Sequence, residues 1–84
     1  MGRAKRWTPE RLSVKLLAIR ENILHLTQEE FVRALDVGDR ADRRDISAFE
    51  RGVREPPLPV LLRYAKLAKV HVETLIDDKV NLPK

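Results

Sequence analysis

Apolar residues recur at helical spacing along the whole chain, and no segment alternates apolar and polar residues as a strand would. Thr8, Pro9 and Glu10 open the first such segment with a hydroxyl cap, a first-turn proline and an acid near the positive end of the helix dipole. We therefore expect a first helix from about Thr8 to Asn22. Its inward stripe is expected to comprise Leu12, Val14, Leu16, Leu17, Ala18, Ile19 and Ile23.

Two short helices, each with its own capping residue, are predicted next. Thr27 and Glu30 have the spacing of a capping box, in which two backbone amides are satisfied reciprocally, and they predict a helix over about residues 28–35. Asp42 is the expected cap of the following helix, which Gly52 ends. The inward residues of the two helices are expected to be Phe31, Val32, Leu35, Ile46 and Phe49.

A proline-rich segment predicts an extended link, and a fourth helix is expected to begin near Pro59. Its inward face is expected to comprise Leu61, Leu62, Ala65 and Ala68, with Tyr64 half-buried. Residues 70–72 break the pattern before a last short helix around Leu75. We therefore predict an all-α fold. Its expected parts are a flexible basic arm over residues 1–7, one domain over residues 8–77 and a tail over residues 78–84.

Composition and charge narrow the class of protein. A chain of 84 residues is enough for one small domain with a single modest core. The net charge of +4 and the pI near 9.9 suggest a polyanionic partner. No cysteine is present, so a disulfide framework is excluded and a cytoplasmic location is expected. No apolar run approaches the roughly 18 residues that a membrane span needs, so we expect no membrane partner.

Positive charge is concentrated at the start of the chain. Residues 1–20 contain six basic residues and one acidic residue, a sum of +5, so the remaining 11 basic and 12 acidic residues sum to −1. Arg3, Lys5 and Arg6 lie in a short segment that we expect to gain order on a phosphate backbone. A solubilising terminus or a cloning remnant is the alternative. Trp7 is expected to pack over the first helix as a hydrophobic staple, with stacking on a base as the alternative.

Short segments in a fixed order carry a resemblance to a known family. They are Leu26–Phe31, Ile46–Gly52, Arg54–Pro56, Leu61–Val70 and Leu75–Ile76. In this order and spacing, they resemble the lambda-repressor-like, Cro/CI-type (XRE) helix-turn-helix family over about residues 10–77. The resemblance implies five helices, of which the second and third form a helix-turn-helix that reads the DNA major groove. It implies a sequence-specific DNA-binding regulator of transcription, and in particular a repressor, with double-stranded DNA as its partner.

The resemblance also implies roles for individual residues. The implied base-contacting residues are Arg43, Arg44 and Ser47, the implied backbone-contacting residues are Gln28, Arg51 and Arg54, and the implied structural ion pair is Arg20 with Glu50. The basic residues of the arm are expected to add further contacts to the DNA backbone.

Residue chemistry supports these roles independently. With Ile46 and Phe49 inward, Arg43 and Arg44 fall on the opposite face of the third helix or on its shoulder. Arginine suits guanine because its forked guanidinium bonds O6 and N7 together. The alternative is a solvated face, in which both arginines pair with neighbouring aspartates. Residues 39–55 hold five basic and five acidic residues, so attraction to DNA is expected to come from the arm and the first helix.

The chain departs from the family pattern in the link between the second and third helices, where residues 38–41 form an apparent insertion. Either the turn is enlarged, or the recognition helix begins one turn early with Asp39 as its cap. The second option would align Arg40 with the base-contacting residues, so Arg40 is a further candidate. Asp36 stands at the family's turn glycine, where it would need a positive φ. One extra residue also lies near Leu24.

A single recognition helix reads only a few base pairs, so a homodimer on a palindromic site is expected. The dimer surface is expected to come from the last helix and the tail, around Val72, Leu75, Ile76, Val80 and Leu82. The alternative from another class is an antitoxin-type module that neutralises a partner protein and autoregulates its operon. A third interpretation is non-specific coating of nucleic acid through the arm.

No residues indicate catalysis or a metal site. His25 and His71 have no carboxylate or cysteine at ligand spacing, and Ser13 and Ser47 have no local base. With only three glycines, the chain has no glycine-rich phosphate loop. We therefore do not expect an enzyme, and we expect neither a cofactor nor a bound metal.

Overall fold

The computed structural model describes residues 9–83, which fold into helices joined by short turns, with no strand among them. The predicted all-α class is confirmed. The expected arm and the expected Thr8 cap lie outside the described residues. The described elements are α1 (Leu12–Ala18), a π-helical segment (Ile19–Ile23), α2 (Gln28–Leu35), a 3₁₀ turn (Gly38–Arg40), α3 (Arg43–Glu50), α4 (Leu58–Ala68) and α5 (Val72–Ile76).

All five α-helices contribute to one apolar core. α1 packs against α3 and α5, α2 packs against α3 and α4, and α4 packs against α5. Phe31 of α2 and Tyr64 of α4 meet in this core with ring centroids 4.7 Å apart, and both residues are fully buried. Ile46 and Phe49 of α3 are buried in the same core, so the burial of apolar surface fixes α3 on the domain.

The predicted bounds of α2 are confirmed, because local signals set its start. Thr27 Oγ1 accepts a hydrogen bond from Glu30 N (3.1 Å), and Glu30 Oε1 accepts one from Thr27 N (2.8 Å). This capping box satisfies two amides that a helix start leaves free. The bond from the Thr27 amide lowers the pKa of the Glu30 carboxyl. Asp36 follows the helix with φ 52°, the positive value that its position requires.

The link between α2 and α3 is an enlarged turn, and the interpretation with an early helix start is wrong. After the 3₁₀ turn, Ala41 is extended (φ −154°, ψ 131°) and buried in the core, which prevents α3 from beginning earlier. Asp42 caps α3: its Oδ1 accepts from Asp45 N (3.0 Å), while Asp45 Oδ2 accepts from Asp42 N (2.9 Å). Arg40 therefore lies in the turn and not in line with the exposed residues of α3.

α1 begins later than predicted, because a residue distant in sequence caps it. The Asp78 carboxylate accepts hydrogen bonds from Glu10 N and Arg11 N, both at 3.0 Å. These backbone bonds lower the pKa of the Asp78 carboxyl. Arg11 is consequently the N-cap residue and Leu12 the first helical residue, instead of a start near Thr8.

The described part of the expected tail binds to the start of α1. Arg11 Nη1 donates to Asp78 O, and Arg11 Nη2 donates to Asn81 Oδ1, each at 2.7 Å. Leu82 packs against the apolar core. The packed domain therefore extends past the expected boundary at residue 77.

Val14 of α1 was expected to face inward, and the structure places its neighbour Lys15 there instead. Val14 is 67% exposed, whereas Lys15 is buried. Lys15 Nζ donates to Thr74 O (2.7 Å) and to Asp77 O (2.9 Å) at the end of α5. Burial lowers the pKa of the Lys15 amine. The apolar stem of a lysine packs like an aliphatic side chain once the amine has acceptors, so Lys15 takes the inward position.

α1 continues as a π-helical segment that ends next to Leu24. Leu24 N donates to Ile19 O (2.9 Å), five positions earlier in the chain. A π turn holds one more residue than an α turn. The helical course ends at Ile23, next to the expected end at Asn22, and His25 then adopts φ 56°.

Three expectations about burial in α4 and α5 are wrong. Leu62 is 45% exposed. The inward face of α4 contains Val60 and Tyr64, and Leu62 lies outside that face. Tyr64 is fully buried, not half-buried, and its hydroxyl has no hydrogen-bond partner among the described residues. Leu75 is fully buried within its own domain, so it is not available for a dimer surface.

Candidate nucleic-acid interface

α3 presents a stripe of polar side chains on the side opposite its buried residues. Ile46 and Phe49 hold the inner side of the helix in the core. Arg44, Ser47 and Arg51 follow one another at intervals of three and four residues, so they lie along one face. Arg44 and Arg51 are exposed, and Ser47 is half-buried. The structure thus brings two of the implied base-contacting residues into line with Arg51, for which a backbone contact is implied.

The aspartates at the start of α3 do not pair with Arg43 or Arg44. Asp42 and Asp45 bind each other's amides in the capping box, and Asp45 Oδ1 also accepts from Arg54 Nη1 (2.5 Å). The bond from the Asp42 amide, followed by Arg54, lowers the pKa of the Asp45 carboxyl. Arg43 and Arg44 are exposed and have no hydrogen-bond or ion-pair partner in the described part of the chain. The expected pairing with neighbouring aspartates is therefore wrong, whereas the solvated face of that alternative fits the exposure of both arginines.

Arg51 and Arg54 are each held by residues of α3. Arg51 Nε donates to Ser47 Oγ (3.3 Å), which lays the Arg51 side chain along the polar stripe. The Arg54 guanidinium lies 5.6 Å from the centroid of the Phe49 ring and pairs with Asp45. A cation over an aromatic face is attracted to the ring. The Arg54 side chain is nevertheless 54% exposed, so about half of its surface is accessible to solvent.

A hydrogen-bond network fixes the start of α2 against the end of α3. Arg20 Nε donates to Glu50 Oε2 (2.6 Å) and Arg20 Nη2 donates to Glu50 Oε1 (3.0 Å), so the implied ion pair is present and bidentate. Hydrogen bonding to Glu50 raises the pKa of Arg20. Gln28 Nε2 also donates to Glu50 Oε1 (3.2 Å), and Arg20 Nη1 donates to Leu26 O (3.0 Å). Gln28 is therefore part of this network as well as a candidate for a backbone contact.

An open groove lies between the starts of α2 and α3. It has a volume of about 480 Å³ and is lined by Arg20, Thr27, Gln28, Glu29 and Arg43. Free amides at the start of α2 favour an anion in such a groove, whereas the Glu29 carboxylate opposes one. Arg43 supplies the compensating positive charge.

Three basic residues of the first helical course make contacts inside the domain. Lys15 is buried, Arg20 is paired with Glu50, and Arg11 is bonded to the tail. The basic residues of the expected arm, Arg3, Lys5 and Arg6, lie outside the described residues.

Two features of the site are not among the sequence expectations. The reciprocal bond from Asp45 in the capping box is one, because an aspartate stands where glutamate or glutamine is usual. The contact between Ser47 and Arg51 is the other, and its signal is the four-residue spacing that makes helical side chains neighbours.

Other chemistry has little support within residues 9–83. No group of three histidine or acidic residues is placed to hold a metal ion there. His71 occupies the N-cap position of α5, but its side chain makes no capping hydrogen bond. None of the helices in this part of the chain has the length and apolar character needed to cross a membrane.

No protein-family model, no characterised protein and no solved structure matches this chain. The resemblance to the helix-turn-helix family therefore rests on the sequence segments given above. The geometry of α2, α3 and the turn between them carries the functional argument.

Proposed function

We propose that this chain is a sequence-specific regulator of transcription that acts in the cytoplasm, binds double-stranded DNA as a repressor and inserts α3 into the major groove. The observation that carries the proposal is the pair of exposed guanidinium groups of Arg43 and Arg44, which have no partner within residues 9–83, on a helix whose inner side is buried. An α-helix fits the major groove, and a guanidinium matches the two acceptors of guanine. In this proposal α2, the enlarged turn and α3 form the helix-turn-helix unit.

Different residues take different parts in the proposed complex. Arg43, Arg44 and Ser47 contact base edges, and Arg51 extends their stripe toward the phosphates. Arg40 reaches flanking phosphates from the turn, because it is not on α3. Gln28 and Arg54 contact the DNA backbone. They do so through the N–H donors that their partners inside the domain do not use.

Selection of bound sites from a random DNA pool at physiological salt tests this function. We expect an enriched motif with a guanine-rich half-site for the wild-type chain. The double variant Arg43→Ala/Arg44→Ala should lose this enrichment, and the control Arg33→Ala, at an exposed position of α2, should retain it. No enrichment with the wild-type chain would contradict the proposal and would favour an antitoxin-type interaction module, whose partner binding the double variant would leave intact.

The proposal includes a homodimer, because one recognition helix contacts too few base pairs for useful affinity. With Leu75 buried, the remaining candidates for the dimer surface are the half-buried residues Val72, Ile76, Val80 and Leu82. Sedimentation of the complex with selected DNA should give two chains on each palindromic site. One chain on each site would contradict the two-fold arrangement.

A further inference from the structure

The side chain of Arg51 is directed back along α3, although its Cα atom lies at the end of the helix. Arg51 is the C-cap residue of α3. Its Nε donates to Ser47 Oγ (3.3 Å), four positions earlier in the chain. Four residues of an α-helix rise about 6 Å, so this bond turns the guanidinium toward the middle of the helix. The charged group therefore lies beside Ser47.

The other donors of this guanidinium have no acceptor within residues 9–83. Ser47 uses Nε, and no carboxylate or carbonyl in this range accepts from Nη1 or Nη2 of Arg51. Arg51 is exposed, as is Arg44 on the same face of α3. Paired N–H donors of a guanidinium match O6 and N7 of guanine. The Arg51 side chain thus presents a fixed fork of donors on the polar stripe.

We propose that Ser47 and Arg51 act as one unit that reads a guanine, with Arg51 as the base-contacting residue and Ser47 as the residue that positions it. This inference rests on the proposed function, because it concerns the base contacts of α3. It differs from the backbone contact that the resemblance implies for Arg51. It also makes the contribution of Ser47 to specificity depend on Arg51.

The bond to Ser47 favours a base contact for two physical reasons. It directs the guanidinium along the face that bears Arg44, which is the face that enters the major groove in the proposed complex. It also orders a long side chain before DNA binds, and a side chain that is already ordered loses less conformational entropy on binding. A phosphate contact depends less on such positioning, because much of it is electrostatic attraction that is independent of the DNA sequence.

The spacing of the stripe predicts which base pair Arg51 reads. Arg44 and Ser47 are three residues apart, a rise of about 4.5 Å along α3. Successive base pairs of DNA are about 3.4 Å apart. Because the guanidinium of Arg51 lies beside Ser47, we expect it to read a base pair about one or two steps from the base pair that Arg44 reads.

Competition between the selected DNA site and its single-base variants distinguishes a base contact from a phosphate contact. We expect Arg51→Ala to lose a preference of roughly 5- to 150-fold at one base pair and to keep the preferences elsewhere. Equal weakening on all sequences, with the slope of log K against log salt reduced by about 0.9, would indicate a phosphate contact and overturn the inference. The ratio of two sites bound by one protein sample does not depend on the fraction of folded protein.

Substitutions of Ser47 test its positioning role. Ser47→Ala removes the acceptor of Arg51 Nε and should reduce the preference at the base pair that Arg51→Ala affects. Ser47→Thr keeps a hydroxyl on the same carbon atom and should retain that preference. The control Ser13→Ala removes the hydroxyl of a half-buried serine of α1, outside the stripe, and should change no preference. Full preference in Ser47→Ala would show that Ser47 does not position Arg51.

The double variant Ser47→Ala/Arg51→Ala tests whether Ser47 acts through Arg51. Residues that act as one unit are not additive, so we expect Ser47→Ala to cause no further loss of preference once Arg51 is alanine. Additive losses would contradict the unit, because each residue would then read DNA by itself. A loss in Arg51→Ala at a base pair farther from the Arg44 position than predicted would contradict the observed direction of the side chain.

The wild-type chain and the two sets of variants separate this inference from the proposed function. If the wild-type chain selects no DNA motif, the proposed function fails and the inference fails with it. If the wild-type chain selects a motif that depends on Arg43 and Arg44, while Arg51→Ala keeps every base preference, only the inference fails.

Discussion

Single guanidinium groups determine specificity in the proposed interface, and Arg44 provides the sharpest test. Arg44→Lys keeps the positive charge but loses the fork that bonds guanine O6 and N7 together. A bidentate contact of this kind discriminates between bases by roughly 1–3 kcal/mol. We expect the variant to lose about that much preference at one base pair of the site, with its binding to unrelated DNA nearly unchanged. Competition between the selected site and its single-base variants measures the loss.

The control for this exchange is Arg33→Lys, which makes the same substitution at an exposed arginine of α2. It should leave the preference at every base pair as it is in the wild-type chain. Full retention of preference in Arg44→Lys would show that Arg44 is not a base-reading residue.

Glu50 is the buried carboxylate that pairs with the buried guanidinium of Arg20. Arg20 is 8% exposed, and removing one member of a buried pair typically costs about 3–5 kcal/mol. We expect Glu50→Ala to lower the free energy of unfolding by about that amount, as measured by urea denaturation. Glu21→Ala removes an exposed carboxylate 3.6 Å from the same guanidinium and should cost less than about 1 kcal/mol. Equal small losses would show that solvent stabilises Arg20 without Glu50.

The Tyr64 hydroxyl is buried with no partner among the described residues, and its burial raises the pKa of Tyr64. An unpartnered buried polar group costs about 1–3 kcal/mol. Tyr64→Phe is therefore expected to keep the wild-type free energy of unfolding or to raise it by up to about that amount. Thermal unfolding measures the change. A loss larger than about 1 kcal/mol would instead indicate that the hydroxyl binds an internal water.

At the scale of elements, starts that depend on neighbouring residues could be predicted from the sequence. Thr27 and Glu30 are close in the chain, so α2 was bounded correctly by its capping box. The start of α1 depends on Asp78, which lies 67 positions after Arg11, and no local pattern reveals such a contact. The buried position of Lys15 depends in the same way on carbonyls at the end of α5.

The candidate site also contains residues that a local sequence pattern places and residues that only tertiary packing places. The outward position of Arg44 follows from the apolar spacing of Ile46 and Phe49, so periodicity was enough to predict it. The local pattern does not decide whether Arg40 belongs to the turn or to α3, because it fits both an enlarged turn and a helix that begins one turn earlier. Burial of an extended Ala41 decides between them, and that burial depends on how the turn packs against the core.

The cap that Asp78 provides to α1 makes part of the stability depend on pH. Backbone bonds lower the folded-state pKa of Asp78 below its unfolded value of about 3.9. The stabilisation is therefore fully present above the unfolded pKa and is lost as the pH falls through the folded pKa. Because Asp78→Asn does not titrate, we expect the stability difference between wild type and variant to be largest near neutral pH and to close in acid. Thermal unfolding of both proteins across the acid range measures this difference.

Glu30 and Asp45 also have lowered pKa values, so both proteins lose stability in acid for other reasons. The difference in stability between wild type and Asp78→Asn at each pH therefore measures the contribution of the Asp78 carboxylate alone. A difference that stays constant from neutral pH into acid would contradict an ionised cap.

At the scale of the whole molecule, positive charge is distributed unevenly between the arm and the domain. The chain contains 17 basic and 13 acidic residues, and three of the basic ones precede Pro9. The rest of the chain, with 14 basic and 13 acidic residues, therefore sums to +1. A nearly neutral domain attracts DNA weakly over distance, so the salt dependence of binding should come largely from the arm.

A triple substitution of the arm to serine, Arg3→Ser/Lys5→Ser/Arg6→Ser, tests this division. Each phosphate contact contributes about 0.9 to the slope of log K against log salt, so the slope should fall by up to about 2.7. The preferred DNA sequence should stay the same, because the base contacts belong to α3. The control Lys66→Ser/Lys69→Ser/Lys79→Ser removes the same charge from exposed positions at the end of α4 and after α5. If both triple variants lower the slope equally, net charge and not contact by the arm governs the attraction to DNA.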